Sequence, residues 1–90
     1  MNEVFIIGKV INIQFEFIYS SKNISICFIE VIIGKENIVN MYGYNELADY
    51  MMQELNKDDI IFINGKIRDD GKIFIRNIIK INSKYNYKKL

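Results

Sequence analysis

The sequence has no proline, no tryptophan and no histidine, and it has a single cysteine. With no histidine and only one thiol, Cys27, it offers neither a zinc-ligand spacing nor an intrachain disulfide, and Cys27 reads as core filler. The same lack removes histidine from any nucleophile–base pair, and no glycine-rich phosphate loop is present. No apolar run approaches the ~20 residues of a membrane helix. The start, Met1-Asn2-Glu3-Val4, runs straight into strand-like sequence, without the basic, apolar and small-residue regions of a signal peptide. The expectation is a cytoplasmic chain that needs no membrane, metal, cofactor or small-molecule substrate. The acidic pairs Asp58-Asp59 and Asp69-Asp70 are the remaining hint of acid–base or metal chemistry. They fall at a helix end and in a tight turn, where acids are structurally favoured, so no enzyme is expected.

What is present is a chain of 90 residues, 50% hydrophobic and 26% charged, enough for one domain and too apolar for a disordered segment. Heavy use of Ile, Asn and Lys looks like the codon bias of an AT-rich genome, so composition carries little weight. The net charge is +1, and Lys84, Lys88 and Lys89 lie in a stretch without acids at the end, leaving about −2 for the body. Nucleic-acid binders usually carry a basic footprint, so charge alone predicts weak or strongly salt-sensitive binding.

Asn2 to Tyr19 is rich in β-branched and aromatic residues. After Gly8, the residues Ile11, Ile13, Phe15, Phe17 and Tyr19 alternate with Asn12, Gln14 and Glu16, the period of a strand with one apolar face. Before Gly8 both faces are apolar, and an isolated glycine in a strand marks a bulge or bend, so the strand is expected to kink there and switch partners. A second strand runs from Ile24 to Ile33 with ambiguous register, and after a turn at Gly34-Lys35-Glu36-Asn37 a third runs from Ile38 to Tyr42. From Asn45, a plausible N-cap, Leu47, Tyr50, Met51 and Leu55 fall at helical spacing. Ile60 to Arg68 resumes alternation, with Ile61, Ile63 and Ile67 on one face. Asp69-Asp70-Gly71 fits a three-residue hairpin loop with Gly71 in the left-handed region. That loop pairs Arg68 with Lys72, Ile67 with Ile73, Lys66 with Phe74 and Asn64 with Arg76. The fifth strand then extends to about Asn82. The expected domain is 1–82, followed by a flexible basic and aromatic tail, 83–90.

Three strands, a helix and two strands, the first long and bent, is the order of the all-β, five-stranded OB-fold Greek-key barrel. A local pattern accompanies it: Met41-Tyr42-Gly43, Leu47-Ala48-Asp49, Leu55-Asn56-Lys57-Asp58, and Ile61-Phe62-Ile63-Asn64-Gly65-Lys66-Ile67-Arg68. With the opening Asn2-Glu3-Val4-Phe5-Ile6-Ile7-Gly8-Lys9-Val10, this resembles the bacterial single-stranded DNA-binding protein family over most of residues 2 to 82. Departures from that family are also visible. Its long hairpin between strands four and five is cut to Arg68-Asp69-Asp70-Gly71-Lys72. Glu36 stands roughly where a tryptophan is often found, and Lys88-Lys89-Leu90 replaces the acidic tip that recruits partners.

An OB barrel binds a strand by stacking bases on aromatic side chains along a positive groove. The resemblance implies that Tyr42 stacks a base; otherwise it covers the rim of the core. Tyr44 adds a second platform or packs on the helix start. Phe17 and Tyr19 line the same groove unless alternation places Phe17 in the core. Phe62 and Phe74 share the outward face with Lys66, Arg68, Lys72, Arg76 and Lys80, as a binding surface, a solvated face or a subunit contact. Lys84, Tyr85, Tyr87, Lys88 and Lys89 could fold over a bound strand. Two functions follow as expectations. The first is non-sequence-specific binding of single-stranded DNA by a homo-oligomer, a dimer or tetramer, as an accessory to replication, recombination or DNA transfer. The second is an OB-fold oligomerisation or protein-interaction module with little nucleic-acid affinity, using Phe5, Ile7, Phe28 and Phe74.

Overall fold

The computed structural model describes residues 2–18 and 22–81. Its elements are β1 (Glu3–Ile18), β2 (Ile24–Ile33), β3 (Asn37–Tyr44), α1 (Asn45–Glu54), β4 (Ile60–Ile67) and β5 (Ile73–Lys80). The strands close into a barrel in the order β1-β2-β3-β5-β4, all neighbours antiparallel except β3 with β5. This is the expected OB barrel, with its helix between strands three and four.

One long strand serves both halves of the barrel. Residues Glu3 to Lys9 of β1 pair with β4, and Lys9 to Ile18 pair with β2. The switch of partners falls close to Gly8, as expected, but the irregularity does not. Val10 pairs with Val31 and Asn12 with Glu30, so Ile11 is the extra residue of a bulge. Before the bulge Val4, Ile6 and Val10 turn toward the core; after it Ile13 and Phe15 do. Gly8 is required for a different reason, close packing: a Cβ there would lie 2.4 Å from Val31 Cγ1 and 2.9 Å from the carbonyl oxygen of Ile32.

The core is built from alternate residues of the strands, Val10, Cys27, Ile29, Val31, Met41, Ile61, Ile63, Ile73 and Ile75, closed by Ala48, Met51 and Leu55 from the helix region. α1 forms where the chain lacks β-branched residues, and it lays Ala48 and Met51 over the end of the barrel. Asn45 does not cap it. Its φ is +54°, and its Oδ1 instead accepts a hydrogen bond from Ser25 N at 3.3 Å, tying the helix start to β2. After the helix, Asp59 anchors the return to β4: its Oδ2 accepts from Asn56 N at 2.7 Å and lies 3.4 Å from Lys80 Nζ, which also donates to the Glu54 carbonyl. Lys80 is therefore committed to this end of the barrel and does not extend the outward basic row expected of it.

The β4–β5 hairpin has the three-residue loop read from the sequence. Arg68 N donates to Lys72 O at 2.8 Å, Gly71 N donates to Arg68 O at 2.9 Å, and Gly71 has φ +84°. Ile67 pairs with Ile73 and Lys66 with Phe74, as expected, but the register then slips. Gly65 pairs with Ile75 and Asn64 with Asn77, leaving exposed Arg76 as the extra residue of a second bulge. Ile67 has the core phase yet is 40% exposed, because it sits at the open mouth where β4 ends.

Candidate nucleic-acid interface

Paired residues of neighbouring strands point to the same face of a sheet, so the registers lay out the outer surface row by row. One row crosses all five strands: Gln14 opposite Phe28, Phe28 opposite Tyr42, Tyr42 beside Phe74, and Phe74 opposite Lys66. The row on one side is Glu16, Ile26 and Tyr44; the row on the other is Asn12, Glu30 and Asn40. The aromatic centre is continuous. Ring centroids are 6.2 Å apart for Phe28 and Tyr42, 5.7 Å for Tyr42 and Phe74, 5.7 Å for Tyr42 and Tyr44, and 6.0 Å for Tyr44 and Phe74. Tyr42 and Phe74 are half-buried by this mutual cover, while Tyr44 is exposed.

Cations flank the cluster on the hairpin side. Lys66 pairs with Phe74, and Arg68 and Lys72 stand at the two ends of the hairpin loop, with Asp70 Oδ1 accepting from Lys72 N at 2.9 Å. Arg68 is close enough to act on the Tyr42 phenol. Partial burial pushes that phenol above its usual pKa, Arg68 opposes the rise, and Tyr44 and Asp70 add to it, so Tyr42 stays neutral at physiological pH. Lys72 also lines an open groove of about 290 Å³ with Asn12, Gln14, Phe28, Glu30 and Asn40. A second hollow joins Asn2, Lys66, Ile67, Arg68 and Asp69.

The residues singled out in the sequence thus divide. Tyr42, Tyr44 and Phe74 come together, with Lys66, Arg68 and Lys72 around them. Phe62 does not join them: it stacks on Phe5 at 6.2 Å and 17°, on the β1–β4 side of the barrel. Phe17 pairs with buried Ser25, which gives it the core phase of β1 and not the face of Gln14, although at the strand end it is 43% exposed. Arg76 belongs to the bulge and has no partner opposite it on β4. Tyr19 and the tail 83–90 lie outside the described residues. Phe28 is the member of the cluster that sequence reasoning left undecided. A three-residue loop at Gly34-Lys35-Glu36 pairs Ile33 with Asn37 and hence Phe28 with Tyr42, but its glycine stands first and not last as in the β4–β5 loop, so the same signal did not mark it.

The Phe5–Phe62 pair belongs to a second outward feature. Phe5 is 66% exposed, Ile7 57% and Ile79 59%; Ile7 lies opposite Phe62 and Phe62 opposite Ile79, so they form one apolar patch. Among the described residues no group of three or more Cys, Asp or Glu side chains is placed to hold a metal, and no helix is long and apolar enough to cross a membrane.

A closed five-stranded OB barrel with an aromatic surface across β2, β3 and β5 is the class of protein that this arrangement defines. No known family model matches the sequence, and no curated protein matches it. Solved structures do match in fold. The single-stranded DNA-binding domain of a Synechococcus protein superposes with a TM-score of 0.73 at 13% identity, over 87% of this chain and 93% of that one. A mitochondrial single-stranded DNA-binding protein of S. cerevisiae gives a TM-score of 0.75 at 14% identity, over 90% and 94% of the two chains. The protein PriB of Ralstonia solanacearum gives 0.65 at 11% identity, over 90% and 99%. The chain has the OB fold of the single-stranded DNA-binding proteins.

Proposed function

We propose that this protein binds single-stranded DNA without sequence-specific docking, by stacking bases on Phe28, Tyr42, Tyr44 and Phe74 while Lys66, Arg68 and Lys72 meet the phosphates. The observation that carries this reading is the unbroken aromatic row from β2 to β5 with cations along one side. Each stacked base contributes roughly 1–3 kcal/mol, so a few platforms give useful affinity with no base-specific bond. The fold relatives named for single-stranded DNA binding support the choice of ligand. A noncatalytic role beside replication, recombination or DNA transfer fits such a binder. The test is fluorescence anisotropy of labelled oligo-dT of about 30 nucleotides, beside the same length of duplex, at low and moderate salt. Saturable binding that favours the single strand and weakens with salt supports the reading. No binding at low salt and tens of micromolar protein sinks it.

The apolar patch of Phe5, Ile7, Phe62 and Ile79 favours a second element: self-association into a homo-oligomer through the β1–β4 side. It lies on a different side of the barrel from the aromatic row, so assembly leaves that row open and links several weak sites. An oligomerisation module with little DNA affinity would use this patch alone.

A further inference from the structure

The surface that carries the aromatic row is electrically lopsided. On the hairpin side stand three cations, Lys66, Arg68 and Lys72, against the two loop carboxylates Asp69 and Asp70; one row away across β1, β2 and β3 stand Asn12, Glu30 and Asn40, with a carboxylate and no cation of their own. Residues two apart on a strand are roughly 7 Å apart, so this polar row begins where a base stacked on Phe28 or Tyr42 ends. Glu30 is half-buried, lines the open groove with Lys72, Asn12 and Asn40, and among the described residues has no hydrogen-bond or ion-pair partner. A carboxylate repels phosphate, so a strand lying here keeps its backbone toward the hairpin and turns its base edges toward Glu30.

Resting on the single-strand reading above, we propose that the Asn12–Glu30–Asn40 row reads base edges and makes the site prefer guanine. An ionised carboxylate only accepts hydrogen bonds, through two oxygens side by side. Guanine is the base whose Watson–Crick edge offers two adjacent donors, N1–H and the N2 amino group. Its neighbouring O6 is an acceptor, matched by the amide nitrogens of Asn12 or Asn40. Thymine sets one N–H between two carbonyl oxygens, and cytosine and adenine each offer a single amino group beside a ring acceptor, so one carboxylate oxygen always faces a lone pair. The preference is therefore built on stacking that accepts every base, with the edge contact as a bias.

The experiment compares two labelled oligonucleotides of about 18 nucleotides, longer than one OB site, made of T-T-G repeats and of T-T-inosine repeats. Inosine keeps O6 and N1–H and lacks only the N2 amino group. Wild-type protein is expected to bind the guanine repeat about fivefold or more tightly, the lower range of a good bidentate contact. Glu30→Gln, an isosteric change on an outward position, is expected to reduce that ratio to within about twofold while oligo-dT binding is retained or strengthened. Equal affinity of the wild type for both repeats overturns the guanine assignment and leaves single-strand binding standing, as does a preference that survives Glu30→Gln. No binding to either repeat or to oligo-dT overturns the parent reading and this one together.

Discussion

Tyr42 and Phe74, 32 positions apart in the chain, lie side by side with ring centroids 5.7 Å apart because β3 and β5 close the barrel as a parallel pair. That contact joins two halves of the outer surface. Tyr42 brings Phe28 and Tyr44 from the β2–β3 hairpin; Phe74 brings Lys66, Arg68 and Lys72 from the β4–β5 hairpin. The β4–β5 hairpin carries the three cations with one ring of the cluster and the β2–β3 hairpin carries the other three rings, so the continuous aromatic surface exists only in the closed barrel.

The division of the aromatics makes a paired test. Tyr42→Ala is expected to weaken oligo-dT binding by about 1–3 kcal/mol, roughly five- to over a hundredfold, because it removes the ring that three others touch. Phe62→Ala, on the other side of the barrel, should leave affinity per site within about twofold. Anisotropy titrations of the two variants at one salt concentration check this, and equal losses would contradict the placement of the interface.

Arg68 should act through phosphate. With three cations engaged, the slope of log K against log salt is expected to be about −2, and Arg68→Gln should flatten it by about 0.7 while weakening all sequences alike. Titrations at four or more salt concentrations measure both slopes; an unchanged slope would remove Arg68 from the phosphate contacts.

Ile7 tests the apolar patch. At 57% exposure it contributes little to the fold of one chain, so Ile7→Lys should leave the circular dichroism spectrum and melting temperature nearly unchanged. Sedimentation velocity should show the variant shifted toward monomer relative to wild type. A wild type that is already monomeric at tens of micromolar would refute assembly through this side.

Gly8→Ala should destabilise the barrel by about 1–3 kcal/mol, since the added methyl meets both the Val31 side chain and the Ile32 backbone, and backbone cannot swing away. Urea denaturation followed by tyrosine fluorescence gives the difference. A change under half a kcal/mol, about twofold in the folding constant, would show that β1 and β2 part more easily than their packing implies.

Burial pushes the Cys27 thiol from 9.0 up to about 11, with desolvation of the thiolate as the cause. The folded state therefore holds the proton more tightly than the unfolded chain, so this contribution to stability is complete below pH 9 and fades as pH rises from 9 toward 11. Thiol reagents at pH 8 should label Cys27 at the rate of unfolding, not at the rate of a free thiol, and Cys27→Ala should lose part of the alkaline decline in stability.

The sequence was most legible where a turn fixed a strand. Asp69-Asp70-Gly71 set the β4–β5 pairing through Gly65, and helical spacing at Leu47 and Met51 separated α1 from its flanking strands. It was least legible where both faces of a strand are apolar. In β2, Ile26 and Phe28 on one face look no more polar than Cys27 and Ile29 on the other, and only pairing with β1 and β3 assigns them. The bulge at Ile11 has no glycine and left no signal of its own, while that at Arg76 lies across from Gly65 on the partner strand; Gly8, which suggested a bulge, answers to packing. For the interface, the aromatics were visible as residue types, but which of them meet depends on the parallel β3–β5 contact, a relation that local alternation does not contain.

The bulge at Ile11 gives β1 two outsides. Ahead of it Phe5 and Ile7 face outward between Glu3 and Lys9; behind it the outward residues are Asn12, Gln14 and Glu16. Regular alternation carried through Ile11 would turn Asn12, Gln14 and Glu16 inward; leaving Ile11 out of the pairing keeps them outside. One residue set outside the ladder thus holds an oily stretch and a wet stretch on the outside of a single ribbon of chain, and it ties the two to one reading frame.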